Sequence, residues 1–225
     1  NDYRLAVFYN QDRPYKQQIA SLCCEVDILL AGPKGMSFPI NIFDVYSGRV
    51  SFDDPMIESH HINHSTLILA GNSLPSMCLP SFSHVPRLRI PDQQRARHEA
   101  ILTNRGLDPN RWFACVYWRE PGFNDRPANQ YRDILDPSPY MAAIDHIIDD
   151  LGGQVVRLGH PTNTKLRVHP DILDIAKIED SLMTQITAIA RARFFISSPS
   201  GPLTFGSGFG TPTAVTDNID ISGVW

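Results

Sequence analysis

After residue 90, short apolar runs alternate with segments of helical periodicity, and this alternation constrains the fold more than any other feature of the sequence. The runs RWFACVYW and QVVRLG have the length and the β-branched and aromatic content of buried strands. Between them, PYMAAIDHIIDDLGG places apolar residues every three or four positions and ends in two glycines, which indicates an amphipathic helix. Because strands that alternate with helices form parallel sheets covered on both faces, we predict a Rossmann-like α/β unit here. Its predicted elements are strands over 112–118, 154–158, 194–197 and 213–216, a further strand at DILDIA, and helices in PDQQRARHEAILTNRG and DSLMTQITAIARA.

The first ninety residues predict a second, smaller α/β unit. YRLAVFY and EVDILLAG have the character of strands, PYKQQIASLCC has that of a helix, and HSTLILAG repeats the apolar run that stops at Ala-Gly. The proline-punctuated stretch SFSHVPRLRIPD is typical of a connector. We therefore divide the chain into lobes at residues 1–90 and 91–225, each expected to contain parallel strands. Because the first lobe is short, we expect it to be reduced or incomplete.

Composition argues against several kinds of partner. With a formal net charge of −4 and no basic excess, the chain is not expected to bind nucleic acid. No apolar stretch approaches the ~20 residues that span a bilayer, so we expect no transmembrane segment, while peripheral membrane association stays open. The four cysteines, at positions 23, 24, 78 and 115, form no CxxC pair, which favours a reducing cytoplasm. His60 and His64 have helical spacing but lack the glutamate of a zinc motif, so no metal site is expected.

Polar loops follow three of the predicted strands. Arg119 and Arg126 come after the first strand, Arg157 lies in the second and His160 follows it, and SSPSGP follows the third. The carboxyl ends of parallel strands meet at one edge of a sheet, and ligands bind beyond that edge. We therefore expect these loops to form one site.

The SSPSGP loop has the chemistry of an anion site. Ser200 is placed to cap a helix that begins with Gly201 and Pro202, and the N–H groups at a helix start attract anions. Ser198 and Ser200 add hydroxyl donors, and the arginines of the neighbouring loop would contact phosphate through two hydrogen bonds each. The predicted ligand is a phosphorylated small molecule, most simply a nucleotide.

Each of these residues also has a purely structural interpretation. Ser-Gly-Pro-Leu is typical of a plain helix cap, and Arg157 inside a strand is typical of a salt-bridged residue. His160 in a turn is typical of a solvated residue. The glycines at positions 206, 208 and 210 follow the helix start, so they do not form a dinucleotide fingerprint.

Three segments resemble, in their order and spacing, the C-terminal half of a family of bacterial proteins assigned as glycosyltransferases: VYWREPGF, QYRDILDPSPYMAAIDHIIDDLGGQVVRLGH and FFISSPSGPLTFGSGFGTPTAVTDN. These proteins occur with surface-polysaccharide gene sets and are distantly similar to fucosyltransferase-like enzymes of the GT-B fold. The resemblance covers roughly residues 90–220. It implies a GT-B-like fold of two Rossmann-like lobes, with the donor on the second lobe, the acceptor on the first, and no bound metal or cofactor.

The same resemblance implies donor-binding roles for individual residues. It puts Arg119 at the donor diphosphate. The further positions are Arg132 in YRDI, Arg157 in VVRLG, Ser200 and Gly201 in the Ser-Gly loop, and Asn218 in TDN. His160 departs from the pattern, because many relatives carry an acidic or small residue there.

The sequence thus predicts a cytoplasmic, metal-independent glycosyltransferase that moves a sugar from a nucleotide-sugar to a glycan or lipid-linked acceptor. An inverting enzyme needs a base to activate the acceptor hydroxyl. The candidates are His160, Glu120 and Asp125, with Asp12 and His60 in the first lobe. Two alternatives stay open: a nucleotide-sugar epimerase of the same architecture, and a non-catalytic nucleotide-sugar-binding module.

Overall fold

The computed structural model describes residues 6–10, 18–19, 21–22, 28–32, 88–121, 133–178 and 181–217. The chain divides into two compact units, Asn1–Pro86 and Arg87–Trp225. In the first unit, β1 (Ala6–Asn10) and β2 (Ile28–Gly32) pair in parallel. This confirms the strands predicted in YRLAVFY and EVDILLAG, whereas HSTLILAG lies outside the described residues.

The second unit is built on a sheet of five parallel strands. Every neighbouring pair is parallel, and all the strands predicted after residue 90 are confirmed. Because they are parallel, their carboxyl ends meet at one edge. The strands are β3 (Phe113–Tyr117), β4 (Gln154–Arg157), β5 (Ile172–Asp174), β6 (Phe194–Ser197) and β7 (Thr213–Val215), in the order β5-β4-β3-β6-β7.

Four α-helices accompany this sheet in the described residues: α1 (Asp92–Asn104), α2 (Ser138–Asp145), α3 (Leu182–Arg191) and α4 (Gly201–Phe209). The helix predicted in PYMAAIDHIIDDLGG is α2 followed by a π-helical turn, His146–Asp150. None of the described helices is long and apolar enough to cross a membrane.

Helices cover the sheet on both faces, as its uninterrupted apolar strands require. Phe113 and Cys115 of β3 pack with residues of α1 and α3, whereas Ala114 and Val116 pack with residues of α2. Burial raises the pKa of the Cys115 thiol well above its usual value, so this cysteine is a neutral packing group. The alternation of side chains along one strand therefore builds two separate cores.

Both glycines before β4 occupy positions where a side chain would be unfavourable. Gly152 has a φ of +66°, a left-handed conformation that side chains disfavour. A Cβ on Gly153 would lie 2.3 Å from the ring of Trp112. The chain enters β4 only because both positions lack a side chain.

The order of the strands reverses at β3. From β3 the chain moves outward to β4 and β5, and then it crosses back to β6 and β7 on the other side of β3. The loops that follow β3 and β6 therefore lead away in opposite directions. Ligands of open α/β sheets bind in the crevice at such a switch point.

Candidate functional site

Hydrogen bonds join the carboxyl ends of β3 and β6 across the switch point. The backbone N–H of Arg119 donates to Ser198 Oγ at 3.0 Å, and the Ser198 N–H donates to the carbonyl of Tyr117 at 3.2 Å. Ser198 is fully buried. Ser198 therefore fixes the two strand ends to each other, and its hydroxyl serves the protein's own backbone.

The helix predicted after SSPSGP is α4, and it begins at this edge. Ser200 occupies the N-cap position in extended conformation, with Gly201 and Pro202 in the first turn. The Ser200 side chain does not bond to a helix N–H, so the position of the cap was predicted correctly but its hydrogen bond was not. Its Oγ is buried and close enough to the hydroxyl of Tyr117 to lower the pKa of that group, and it makes no other hydrogen bond within the described residues.

Two features leave the start of α4 open to a ligand. A Cβ on Gly201 would meet no atom of the described residues within 4 Å, so this residue faces open space in that part of the chain. The N–H groups of a helix's first turn have no partner inside the helix, and here Pro202 has none to offer and Leu203 donates to the Ser200 carbonyl at 3.1 Å. The Gly201 N–H is thus a first-turn donor without a partner inside the helix, on a residue with open space on its Cβ side within the described part of the chain.

Arg119 follows β3 by two residues, and its charge and the Ser200 side chain both act on the hydroxyl of Tyr117. Its Nε lies 2.7 Å from Oδ1 of Asp133, whose side chain is only 2% exposed. The Arg119 carbonyl accepts the N–H of Ile134 at 2.8 Å. Asp133 was not predicted as a site residue, although it follows Arg132 in the YRDI motif. It holds the guanidinium by one edge, and within the described residues the terminal Nη atoms make no hydrogen bond.

The hydroxyl of Tyr117 lies beside this pair. Burial raises its pKa, while Ser200 and the charges of Arg119 and Arg157 act in the opposite direction. Tyr117 is therefore a neutral hydroxyl group at neutral pH and not a base.

Arg157 and Glu120 belong to a buried network beneath the same edge. Arg157 is 0% exposed, donates from Nη2 to Glu120 Oε1 at 2.9 Å, and stacks on the Trp118 ring at 4.6 Å. Its contacts with Asp174 are longer, at 3.4 and 3.5 Å, and its buried Nε has no hydrogen-bond partner among the residues that the structure describes. Glu120 also accepts hydrogen bonds from Trp118 Nε1 and from the N–H and hydroxyl of Thr164. With two donors on each oxygen, the carboxylate is arranged to hold loops, and this geometry does not favour a base at Glu120 or a donor ligand at Arg157.

The loop 159–164 after β4 is held at several points. The side-chain amide of Gln185 donates to the Gly159 carbonyl at 2.9 Å and accepts its N–H at 3.0 Å. Lys177 donates to two carbonyls of the loop, those of Pro161 and Asn163. These hydrogen bonds hold the loop in place at the carboxyl end of β4, the strand next to β3.

His160 lies on this loop, partly exposed. Its backbone N–H donates to Asn163 Oδ1 at 3.0 Å, and its Nδ1 lies 2.9 Å from Thr162 Oγ1. Of the candidate bases that the structure describes, His160 is the one with a side chain at the surface of this edge.

The structure thus brings Arg119, Ser198, Ser200 and Gly201 together at the switch point, with His160 one strand away. Several predicted residues lie outside the described residues, and their roles stay predictions: Arg126, Arg132, Asp125 and Asn218, as well as Asp12, His60 and His64. No group of three or more His, Cys, Asp or Glu side chains that could hold a metal occurs in the described part of the chain.

Comparisons with known proteins agree with the fold. No protein-family model and no curated protein matches the sequence. The structure of the E. coli ADP-heptose lps heptosyltransferase II is similar over 95% of this chain and 75% of that protein, with 13% sequence identity and a TM-score of 0.54. The crystal structure of a glycosyl transferase family 9 protein from Veillonella parvula DSM 2008 matches 58% of this chain at 17% identity and a TM-score of 0.43. This chain spans 36% of the length of the Veillonella protein.

The likeness to the E. coli structure shows the fold. The chain has an α/β fold of the GT-B type, as the sequence predicted. The likeness to fucosyltransferase-like enzymes in particular stays a prediction.

Proposed function

We propose that the protein is a glycosyltransferase that moves a sugar from a nucleotide-sugar donor to a glycan or lipid-linked acceptor in surface-polysaccharide synthesis. The lobe 91–225 would hold the donor, and the lobe 1–90 the acceptor side. The E. coli structural neighbour is a heptosyltransferase, and this supports glycosyl transfer as the reaction class. The cysteine usage supports a cytoplasmic location.

One observation carries the proposal. At the crevice between the ends of β3 and β6, the segment that follows β3 carries the Arg119 guanidinium, and the segment that follows β6 leads into the start of α4. A helix start and a guanidinium both bind phosphate, and the switch point is where open α/β sheets place their ligands. The donor's diphosphate would therefore lie between Gly201 and Arg119.

The chemistry follows from this placement. When the sugar leaves the donor, negative charge grows on the departing diphosphate. Fixed donors aimed at that charge stabilise the transition state more than the ground state. Arg119 Nη and the Gly201 N–H would act in this way, and Asp133 would keep the guanidinium in place. His160 is the described candidate for the base that activates the acceptor.

A panel of nucleoside diphosphates tests the proposal through thermal stability. A ligand that binds only the folded state raises the melting temperature. At a ligand concentration of a hundred times Kd, the free energy of unfolding increases by about 2.7 kcal/mol. We expect one nucleoside diphosphate to raise it more than its parent nucleoside does. If the panel produces no shift, the proposed function is wrong. Transfer or hydrolysis of the matching nucleotide-sugar then separates an enzyme from a binding module, and analysis of the product separates a transferase from an epimerase.

We predict that metal chelation leaves donor binding unchanged. In the proposed site, protein donors neutralise the diphosphate, so no divalent ion has to bridge it. The same thermal shifts are measured with EDTA and with added Mg²⁺. A shift that disappears in EDTA and returns with Mg²⁺ would contradict this prediction.

Substitution of Gly201 by valine is expected to weaken diphosphate binding about tenfold while leaving the fold intact. The side chain would project into the space where the ligand is proposed to lie, since a Cβ at this position meets no atom of the described residues within 4 Å. Ser207→Val is the matched control, since it places the same side chain on an exposed position of α4. Valine has a higher helix propensity than glycine and about the same propensity as serine, so neither variant is expected to weaken the helix through propensity. Equal affinities for the two variants would show that the ligand does not approach Gly201.

A further inference from the structure

A second polar group stands at the same edge of the sheet, at the end of β7. Asp217 is exposed and has a φ of +52°. Left-handed backbone at a residue other than glycine is uncommon, and such conformations cluster at functional sites. Since β7 pairs with β6, Asp217 lies one strand beyond the proposed phosphate position. Neighbouring strands lie about 4.8 Å apart, so one ligand can reach both places.

The carboxylate of Asp217 is held from inside the protein. The hydroxyl of Tyr140, a buried residue of α2, donates to Asp217 Oδ2 at 2.7 Å, and Thr216 Oγ1 lies 2.6 Å from the same hydroxyl. The Tyr140 ring packs on Trp118 with centroids 5.2 Å apart. Burial raises the pKa of the Tyr140 hydroxyl, and the charge of Asp217 acts in the same direction. Tyr140 therefore stays a donor, and it fixes the orientation of the carboxylate.

We propose that Asp217 binds a pair of neighbouring hydroxyl groups on the nucleotide-sugar donor. An ionised carboxylate is an acceptor with about four lone-pair sites on two oxygens, and a vicinal diol offers two donors at matching separation. Among the described residues, Tyr140 is the side chain that donates to this carboxylate, and it occupies one of those sites. This inference rests on the proposed function, because the diol belongs to the ribose or to the sugar of the same donor.

The test uses Asp217→Asn and calorimetry on the full chain. Asparagine tolerates the left-handed conformation and keeps an oxygen for Tyr140, but it loses the charge and offers fewer acceptor sites. The first probe is the nucleoside diphosphate, among ADP, GDP, UDP and CDP, that raises the melting temperature most. The second is its 2′-deoxy analogue, and the third is the same nucleoside diphosphate linked to glucose. Asp149→Asn is the control, since Asp149 is an exposed acid in the turn before β4, where that strand enters from the opposite edge.

We expect Asp217→Asn, but not the control, to weaken binding about fivefold or more, because hydrogen bonds to a charged group are about twice as strong as neutral ones. If the diol is that of the ribose, the nucleoside diphosphate itself binds more weakly, and the 2′-deoxy analogue is no longer discriminated. If the diol is that of the sugar, only the glucose adduct loses affinity. Unchanged affinity for all three probes overturns the inference.

Two further results keep this inference separate from the proposed function. If Arg119→Ala weakens diphosphate binding while Asp217→Asn changes nothing, only the diol inference is wrong. If no nucleoside diphosphate binds the wild-type protein, both are wrong. Should Asp217→Asn unfold the unit, Tyr140→Phe takes its place, since it leaves the carboxylate but removes its anchor. That variant is expected to discriminate less against the 2′-deoxy analogue if the diol is that of the ribose, or to bind only the glucose adduct more weakly if it is that of the sugar. Unchanged affinity for all three probes overturns the inference.

Discussion

Replacing Arg157 with methionine is expected to lower the free energy of unfolding of the second unit by about 3–5 kcal/mol. Arg157 is 0% exposed, and its partner Glu120 is only 12% exposed. Methionine keeps most of the volume but leaves a buried carboxylate without its cation, and an uncompensated buried charge is far more costly than a lost surface pair. Urea denaturation followed by tryptophan fluorescence measures the loss, since Arg157 stacks on Trp118.

A surface arginine serves as the control for this prediction. Arg167 pairs with Asp145, and the two side chains are 51% and 47% exposed. Arg167→Met is expected to cost no more than about 1 kcal/mol, because solvent screens an exposed pair. The double variant Arg157→Met with Glu120→Gln should recover part of the stability lost in Arg157→Met alone. If Arg157→Met and Arg167→Met cost the same, the buried network is not a stabilising feature of this sheet edge.

Loss of the Arg119 side chain is expected to weaken nucleoside diphosphate binding tenfold or more. A hydrogen bond to a charged group contributes on the order of 1.5–3 kcal/mol, and each 1.4 kcal/mol is a factor of ten in Kd. Arg119→Ala also leaves the buried Asp133 without its ion-pair partner. The double variant Arg119→Ala with Asp133→Asn removes that buried charge, so its affinity reports the loss of the guanidinium from the ligand. We expect the double variant to be more stable than Arg119→Ala and to bind the diphosphate as weakly.

The strands and helices of the second unit could be predicted from the sequence because they depend on local patterns. The apolar runs that became β3 and β4 are bounded by polar loops, and the segments between them have helical periodicity. Parallel strands bring their carboxyl ends to one edge whatever the details of packing, so Arg119 and the SSPSGP loop had to lie at the same edge. The order of the strands across the sheet is set by long-range pairing, and local periodicity does not specify it.

The roles of individual side chains were harder to predict from the sequence, because they also depend on long-range pairing. Arg157 and Glu120 look like site residues in the sequence, but they are 37 positions apart and pair only after the sheet has formed. Asp133 pairs with Arg119 although the two are far apart in the sequence, and no local spacing indicates that contact. The Tyr140–Asp217 hydrogen bond joins residues 77 positions apart, and nothing in the letters TDN indicates a left-handed aspartate.

The central claim is that the crevice between β3 and β6 binds the phosphates of a nucleotide, and titration calorimetry tests it most directly. Wild-type protein and Arg119→Ala with Asp133→Asn are each titrated with one nucleoside diphosphate and with its parent nucleoside. We predict that the variant loses tenfold or more in affinity for the diphosphate and almost none for the nucleoside, which has no phosphate to contact the guanidinium. Equal losses for the two ligands would contradict the claim, because Arg119 would then support the fold and not the ligand.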